Sequence, residues 1–138
     1  MVQTARMKTF EDVVAGRTPV QRIWEDARHL AFLAEKPVRA GHAIVVPKRV
    51  APYLFELPHE EYLALWEAAR AVAELLKRHL PCERVCVAVV GWEVRHVHVH
   101  LVPTDKAGEF PPLGGAAADT DELEWIAQRV RSGSSPLC

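Results

Sequence analysis

The most constraining feature of the chain is the segment RHVHVHLVP, residues 95–103, which holds three of the seven histidines. Apolar residues alternate with the histidines, and an alternation with a period of two is typical of a β-strand. On such a strand His96, His98 and His100 project from the same face. Three aligned imidazoles contribute little to packing or to strand propensity. We therefore interpret them as functional residues rather than as a solvated, histidine-rich strand face.

The length and composition of the chain limit its class. It has 138 residues, 49% of them hydrophobic and 25% charged, which suits one ordinary globular domain with a sizeable core. The net charge of −1 provides no basic surface for DNA or RNA. No stretch reaches the roughly 18 consecutive apolar residues of a membrane span. We therefore expect neither a nucleic acid nor a membrane as a partner.

The N-terminus and the cysteines bear on the cellular compartment. The first ten residues, MVQTARMKTF, lack the apolar core of a signal peptide. Cys82, Cys86 and Cys138 form neither a paired disulfide framework nor a C-x-x-C motif. Both observations favour a reducing, cytoplasmic location.

Hydrophobic periodicity and turn residues predict an α+β fold, a five-stranded antiparallel sheet with one long helix and a short N-terminal helix. The run RVCVAVVG is apolar throughout, which favours a central strand covered on both faces, although periodicity alone leaves a buried helix open. The predicted segments, in order, are a short helix (8–16), strands 18–26, 29–34 and 41–47, the long helix (58–79), strands 84–91 and 95–103, a loop (108–118), a C-terminal helix (119–132) and a frayed tail.

The spacing of the three histidines bears on what they bind. On a strand, His96 and His100 lie about 13 Å apart, whereas a zinc ion holds nitrogen ligands at about 2.0–2.1 Å. Two adjacent histidines can share one metal ion, but all three cannot unless the strand bends sharply. An elongated phosphate chain fits the row better, because imidazoles offer donors along its length and a neutral imidazole can attack phosphorus. A mononuclear metal site remains the alternative.

The segment HVHVHLV matches the pattern His-φ-His-φ-His-φ-φ (φ, hydrophobic) of the histidine triad family of nucleotide hydrolases and transferases. The order and spacing of TFEDVVAGRTPVQRIWEDARHLAFLAEKPVRAGHAIVVPKRV also resemble the N-terminal half of that family, and HVHVHLVPTDKAGEF is most similar to its bacterial and fragile-histidine-triad branches. The resemblance covers about residues 7–110. It implies that His98 is the nucleophile and that His96 and His100 orient it and contact phosphate. It also places His42 beside the site, although a buried strand histidine satisfied by the backbone remains a structural alternative.

The resemblance carries further implications for the fold, the substrate pocket and assembly. It implies a histidine-triad-like domain over residues 1–118, with a short C-terminal helix and tail over 119–138. It also implies a homodimer in which the long helix and an edge strand pair across a two-fold axis. The residues that fall where the family forms its apolar base pocket are Phe10, Val13, Phe32 and Leu33.

The chain departs from the family pattern at the position of a structural zinc. Many relatives have two cysteines in the first helix and a histidine after Pro-Lys that help to bind the metal. The corresponding residues here are Lys8, Glu11 and Val50, none of which is a cysteine or a histidine. We therefore expect no structural metal and no cofactor.

Two further departures concern the substrate. The family's Gly-Gln-Ser/Thr before the triad is replaced by Gly91-Trp92-Glu93, and Glu93 could protonate a leaving group if the side chain were buried. A solvated loop carboxylate is the alternative. The acidic or amide residue that contacts the ribose hydroxyls corresponds to Ala34, and on a regular strand Glu35 faces the other way. The resemblance therefore supports phosphate chemistry more strongly than nucleoside recognition.

Together these features predict a hydrolase that cleaves a nucleotide at the α-phosphate through a nucleotidyl-histidine intermediate. Its substrate would be a dinucleoside polyphosphate, a nucleoside phosphoramidate or a similar compound. One alternative is a nucleotidyltransferase or phosphorylase of the same superfamily, which passes the nucleotide to an acceptor other than water. The other is a nucleotide-binding scaffold with little turnover.

Overall fold

The structure, a computed structural model, describes residues 9–110 and 116–132. Within these ranges no helix is long and apolar enough to cross a membrane. The helices and strands, in chain order, are α1 (Phe10–Val14), β1 (Arg22–Glu25), β2 (His29–Leu33), β3 (Ala43–Pro47), a single 3₁₀ turn (Leu54–Glu56), α2 (His59–His79), β4 (Arg84–Ala88), β5 (Val99–Thr104) and α3 (Thr120–Ser132).

The strands form one five-stranded sheet in the order β1-β2-β3-β5-β4, and every neighbouring pair is antiparallel. This confirms the predicted α+β fold. The order places β5, which carries the end of the histidine segment, between β3 and β4. Residues from both neighbouring strands therefore flank the histidines.

The long helix α2 forms because its sequence agrees with helix geometry at every level. Acidic side chains occupy its first turn and basic side chains its last turn, so both ends complement the helix dipole. Its buried side chains recur at three- and four-residue intervals, which gives one apolar stripe facing the sheet. These buried residues are Leu65, Ala68, Ala69, Val72 and Leu76.

The two faces of the sheet pack into different apolar clusters. One face packs against α2 and α3, and its strand residues include Leu33, Val45, Val99 and Leu101. The C-terminal helix α3 belongs to this main core through Ile126, Ala127 and Val130. The opposite face packs against the short helix α1 in a smaller cluster, formed by Val13, Leu30, Phe32, Ala34, Ile44 and Val46.

The strands are shorter than the sequence predicted at several ends. The predicted strand 18–26 is reduced to Arg22–Glu25, because the backbone amides of Arg17 and Thr18 bind the Asp12 carbonyl oxygen and close α1 instead of joining the sheet. At its other end, Asp26 Oδ1 accepts the backbone N–H of Arg28 and that of His29, which forms the turn into β2.

The prediction that 84–91 is a central strand covered on both faces was wrong. It is the edge strand β4, it ends at Ala88, and Val87 is 48% exposed. A continuous apolar run is also produced by an edge strand that places valines on the α2 face and small side chains on the other. Residues 111–115 of the predicted loop and the predicted frayed tail from residue 133 onward lie outside the described residues.

Candidate active site

The three triad histidines lie on the face of the sheet that α1 covers. Only His100 belongs to the regular strand β5; His96 and His98 lie in the extended segment before it. His96 and His98 are 4% and 6% exposed, and the ring centroids of His98 and His100 are 4.8 Å apart. The predicted alignment of the three imidazoles on one face is therefore observed, although the regular strand begins later than predicted.

The backbone determines which nitrogen of His98 carries a proton. Nδ1 of His98 lies 2.7 Å from the carbonyl oxygen of His96, which can only accept a hydrogen bond. Nδ1 therefore carries the proton and donates it to this bond. In the neutral ring Nε2 then holds a free lone pair, as a nucleophile at phosphorus requires.

A second backbone carbonyl orients His96. Its Nε2 lies 2.8 Å from the carbonyl oxygen of Pro47, so Nε2 is the protonated nitrogen and donates. Its Nδ1 is buried and has no hydrogen-bond partner among the residues that the structure describes. The backbone N–H of Val97 donates to the carbonyl oxygen of Ala51 at 2.7 Å, which ties the segment to the chain that follows β3. The ring of His96 is therefore fixed by Pro47, and the backbone that follows it is fixed by Ala51.

His42 completes the site by a hydrogen bond to the third triad histidine. The backbone N–H of Val38 donates to Nδ1 of His42 at 3.2 Å, so Nδ1 is the acceptor and Nε2 carries the proton. Nε2 of His42 then donates to Nδ1 of His100 at 3.0 Å. By the same logic, the proton of neutral His100 resides on Nε2. His100, two residues after His98 in sequence, therefore has an N–H group on Nε2 that can donate a hydrogen bond.

Gly41 explains how the chain delivers His42 to this position. Its φ of +89° lies in the left-handed region that favours glycine. A Cβ atom on Gly41 would approach Leu80 Cδ1 to 2.6 Å and Pro103 Cγ to 3.0 Å. The glycine of the Gly-His pair is therefore required both by backbone conformation and by close packing.

Burial keeps the four imidazoles neutral. It lowers the pKa of His42 to about 4, and burial followed by the proximity of His98 and His42 lowers the pKa of His100 to about 3. The pKa values of His96 and His98 are also lowered, mainly by burial, although the carbonyl bond of each ring acts in the opposite direction. At neutral pH the site therefore contains four uncharged rings, and the lone pair of His98 stays available.

An apolar wall stands beside the histidines. The Phe10 ring packs edge-on against His98 and His96, with centroid distances of 4.9 and 5.8 Å, and against Phe32 at 5.7 Å. Val13 belongs to the same cluster. The structure thus brings Phe10, Val13 and Phe32 together next to the triad.

The assignment of Leu33 to this pocket was wrong. Its side chain belongs to the main core on the α2 face. Because successive residues of a strand point to opposite faces, Leu33 cannot share the pocket with its neighbours Phe32 and Ala34. Ala34 faces the histidine side, and Glu35 is exposed.

The residues in place of the family's Gly-Gln-Ser/Thr lie in the loop between β4 and the histidines. Trp92 is 78% exposed and Glu93 is also exposed. The burial that would allow Glu93 to protonate a leaving group is therefore missing, and its role in substrate binding stays a prediction.

The positions of the family's zinc ligands hold no substitute cluster. Val50 and Glu11 are exposed, and Lys8 lies outside the described residues. Across residues 9–110 and 116–132, no group of three or more histidine, cysteine or acidic side chains is arranged to hold a metal ion. The absence of a structural metal stays an expectation, which elemental analysis of the purified protein would test.

Backbone groups are the part of the site that sequence reasoning missed. The Val38 amide and the carbonyl oxygens of Pro47 and His96 decide which nitrogen of each ring is protonated. No side-chain pattern signals these groups. The only sequence signals close to them are the Gly41-His42 pair and the proline that ends β3.

Comparison with known proteins places this site in a family. The family model described as HIT domain matches residues 15–107. An uncharacterized HIT-like protein from Methanocaldococcus jannaschii is 32% identical over 124 residues, which is 85% of this chain and 95% of that protein. The bis(5'-adenosyl)-triphosphatase of Dictyostelium discoideum is 34% identical over 81 residues, 55% of this chain and 54% of the relative.

Solved structures agree on the fold. The histidine triad nucleotide-binding protein ST2152 of Sulfolobus tokodaii, described as hypothetical, superposes with a TM-score of 0.80 at 20% identity. The superposition covers 93% of this chain and 92% of that one. The family model spans more than half of the chain, and the Methanocaldococcus relative is matched over 95% of its length. The chain therefore belongs to the histidine triad (HIT) family.

Proposed function

We propose that the protein is a nucleotide hydrolase that cleaves at the α-phosphate through a nucleotidyl-histidine intermediate on His98. The observation that carries the proposal is the 2.7 Å bond from Nδ1 of His98 to the carbonyl oxygen of His96, which leaves the Nε2 lone pair free on a buried ring. Burial also lowers the pKa of this ring, so it remains neutral at physiological pH. A buried, oriented and uncharged imidazole is suited to attack phosphorus.

The proposed reaction has two displacement steps. The Nε2 lone pair of His98 forms a bond to the α-phosphorus, and the bond to the leaving group breaks with its electron pair on the leaving group. The His98 ring then carries a positive charge, which the carbonyl oxygen of His96 stabilises through the Nδ1–H bond. The leaving group takes up a proton from solvent. Water then attacks phosphorus and gives up a proton to solvent, the P–N bond breaks with its electron pair on Nε2, and a nucleoside monophosphate is released.

The flanking histidines would act as positioning and phosphate-binding groups. The Nε2–H of His100 is oriented by the bond from His42 and is available for a non-bridging oxygen. His96 presents its carbonyl oxygen to His98 while its own ring is held by Pro47. A preorganised set of donors and acceptors stabilises developing charge without reorganisation during the reaction.

The substrate class rests on the relatives and on the apolar wall. The Dictyostelium relative is a bis(5'-adenosyl)-triphosphatase, but this chain spans only 54% of its length, so its activity is carried over as a proposal. Phe10, Val13 and Phe32 form an apolar surface next to His98 that suits a nucleobase. We propose dinucleoside polyphosphates and nucleoside phosphoramidates as the candidate substrates.

Trapping of the intermediate tests this proposal. The purified protein is mixed with diadenosine triphosphate or adenosine 5'-phosphoramidate, quenched at short times and measured by intact mass spectrometry. A mass increase of one adenylyl group is expected for the wild type and for His59→Ala, whose exposed side chain at the start of α2 makes it the control. No adduct is expected for His98→Ala. An adduct of equal yield in His98→Ala would overturn the assignment of the nucleophile.

The acceptor is settled by a separate measurement. If water is the acceptor, the rate of product release does not depend on inorganic phosphate. A release rate that rises in proportion to phosphate, with a nucleoside diphosphate as the product, would identify a phosphorylase instead. Binding of nucleotides without turnover across the substrate panel would identify a scaffold.

We further propose that the protein is a homodimer in the cytoplasm. The edge strand β4 carries an exposed valine, Val87, on its α2 face, and Val90 just beyond the strand is also exposed. An unpaired strand edge with exposed apolar side chains favours pairing with a second copy. Light scattering at micromolar concentration is expected to give twice the mass of one chain, and Val87→Glu is expected to give a monomer. A monomer for the wild type would contradict this proposal.

A further inference from the structure

We propose that the histidine-side face of β4 guides the leaving group of the substrate and that Arg84 binds its distal phosphates. This inference deepens the proposed function and rests on it. It makes Arg84 a specificity-determining residue that favours leaving groups with a long, negatively charged chain.

The sheet register places Arg84 on the same face as the triad. In the β4–β5 pair Ala88 lies opposite His100, and Arg84 lies opposite Thr104. Residues directly opposite each other in an antiparallel pair project from the same face. Cys86 lies on this face as well, because its Sγ atom is 3.4 Å from Oγ1 of Thr104. A row of Ala88, Cys86 and Arg84 therefore runs along the sheet edge from His100.

The other flank of the histidines is apolar, and the described side chains that form it offer no group that binds a phosphate. Phe10 packs directly on His96 and His98, and with Val13 and Phe32 it covers the β2–β3 side of the triad. A nucleobase on that wall leaves the β4 side for the rest of the substrate. The side chains in that direction are small and half-buried at Ala88 and Cys86, so they leave room for a phosphate chain.

Charge favours the same direction. Burial lowers the pKa of all four imidazoles, so the histidines supply no fixed positive charge to a polyanion at neutral pH. Three basic side chains on the segments next to them pair with carboxylates: Arg39 with Asp105 and Glu109, Lys48 with Glu25, and Arg49 with Glu61. Arg84 is exposed, and no carboxylate of the described residues forms an ion pair with it.

The charges around Arg84 leave it available. Glu83 precedes Arg84 just outside β4, and both side chains are exposed. The Asp105 carboxylate is held by Arg39 and by the backbone N–H of Glu83. At the opposite end of the histidine row, the loop before His96 carries the exposed residues Glu93 and Arg95. Arg84 is therefore available to a phosphate chain that runs along β4 from the triad.

The separation makes the effect depend on chain length. Ala88 lies opposite His100, and Arg84 lies four residues further along β4, which is about 13 Å on a strand. His98 precedes His100 by two residues, so Arg84 is about 20 Å from the proposed nucleophile along the sheet. An amine leaving group of a phosphoramidate is too short to reach it, whereas the outer phosphates of a tetraphosphate extend in its direction. Arg84 should therefore affect substrates in proportion to the length and charge of the leaving group.

The test compares two substrates with the same nucleoside, diadenosine tetraphosphate and adenosine 5'-phosphoramidate, at low ionic strength. The measured quantity is the ratio of their kcat/KM values. Arg84→Gln is expected to lower this ratio about threefold to tenfold, mainly through KM for the tetraphosphate, because one partly solvated charge contact is lost. Arg84→Lys retains the charge and should restore most of the ratio. The matched control is Arg78→Gln, an exposed arginine on α2 in the opposite layer, which should keep the wild-type ratio.

An unchanged ratio in Arg84→Gln, or an equal loss in Arg78→Gln, would overturn the inference. If the wild type hydrolyses neither substrate, the proposed function fails and the inference is decided by binding. Titration calorimetry with adenosine 5'-tetraphosphate and with AMP as probes then applies. Weaker binding of the tetraphosphate alone in Arg84→Gln supports the role of Arg84, and equal affinities for wild type and variant exclude it.

Discussion

The two faces of the sheet are built from the same strands and perform different tasks. On the α2 face, Val45, Val99 and Leu101 are buried against two helices in the main core. On the histidine face, the neighbouring residues His98 and His100 pack beside a small cluster covered by a helix of five residues. Alternating residues of one strand therefore belong to opposite environments.

The difference lies in what burial does to each face. On the α2 face, each buried aliphatic side chain stabilises the fold, at about 25 cal/mol per Å² of apolar surface. On the histidine face, burial removes imidazoles from water, and this desolvation lowers the pKa values of all four rings. We infer that the α2 face determines stability and that the histidine face gives up some stability for reactivity.

The largest expected difference between substitutions on the two faces is in kcat. His98→Ala should lower kcat by about 10⁴ or more, because it removes the proposed covalent nucleophile. Turnover is measured per folded molecule, with the folded fraction determined by circular dichroism. Retention of more than about a tenth of wild-type activity would show that His98 is not the nucleophile.

The next effect falls on stability. Leu101→Ala, one residue beyond His100 and on the opposite face, should lower the free energy of unfolding by about 2–5 kcal/mol, because it leaves a cavity in the main core. Its kcat per folded molecule should fall by less than about tenfold, a far smaller change than for His98→Ala, because the Leu101 side chain points into the main core and away from the triad. Urea unfolding and steady-state kinetics measure the two quantities.

Leu65→Ala on α2 is the matched control for this contrast, since Leu65 is equally buried but lies in the helix layer. It should reduce stability by a similar amount and change kcat less than Leu101→Ala. A stability loss below about 1 kcal/mol in both variants would contradict the assignment of the α2 face as the stabilising one.

The same two faces show how far sequence reasoning reaches. The α2 helix was predicted within one residue of its observed start and at its observed end, because its stripe, its charged ends and Pro81 all agree. The edge position of β4 was missed, because strand order depends on which strands pair and a continuous apolar run does not contain that information. The positions of Phe32 and Leu33 on opposite faces follow from strand alternation alone, which the family resemblance does not take into account.

The site shows a similar division. The side chains that carry the chemistry were visible in the sequence, because HVHVHLV and Gly41-His42 are compact motifs. The groups that select the protonated nitrogens are backbone amides and carbonyls of Val38, Pro47 and His96, and every residue type has them. Only the folded chain shows which ones meet the rings.

The pH dependence of stability provides a test of intermediate size. The pKa of His42 is lowered to about 4 and that of His100 to about 3, against 6.5 for an exposed histidine. At a pH between 6.5 and these lowered values, the two histidines are protonated in the unfolded chain but not in the folded chain. The free energy of unfolding is therefore at its full value above pH 6.5 and decreases as the pH falls toward 4. The slope is up to about 1.4 kcal/mol per pH unit for each group.

Urea unfolding from pH 7 to pH 4.5 measures this slope. Replacement of His42 and His100 by glutamine in one double variant should reduce the slope, because two of the buried rings no longer take part. A free energy of unfolding of the wild type that increases as the pH falls from 6.5 to 5 would contradict the neutral state of these rings.

The smallest expected effect concerns recognition of the sugar. Ala34 packs with Phe32 on the histidine face and offers no hydrogen-bonding side chain, and Glu35, which follows it beyond the end of β2, is exposed. A buried polar partner for a substrate hydroxyl discriminates strongly against an analogue that lacks the hydroxyl, and an alanine cannot do so. The kcat/KM values for an adenosine substrate and its 2′-deoxy counterpart with the same leaving group should therefore lie within about tenfold, or roughly 1.4 kcal/mol.

Ala34→Asp should create a preference for ribose, since the new carboxylate would lie on the substrate side. A wild-type preference above about 10² would show that another group contacts the ribose, and loss of that preference in Glu35→Ala would identify the group as Glu35.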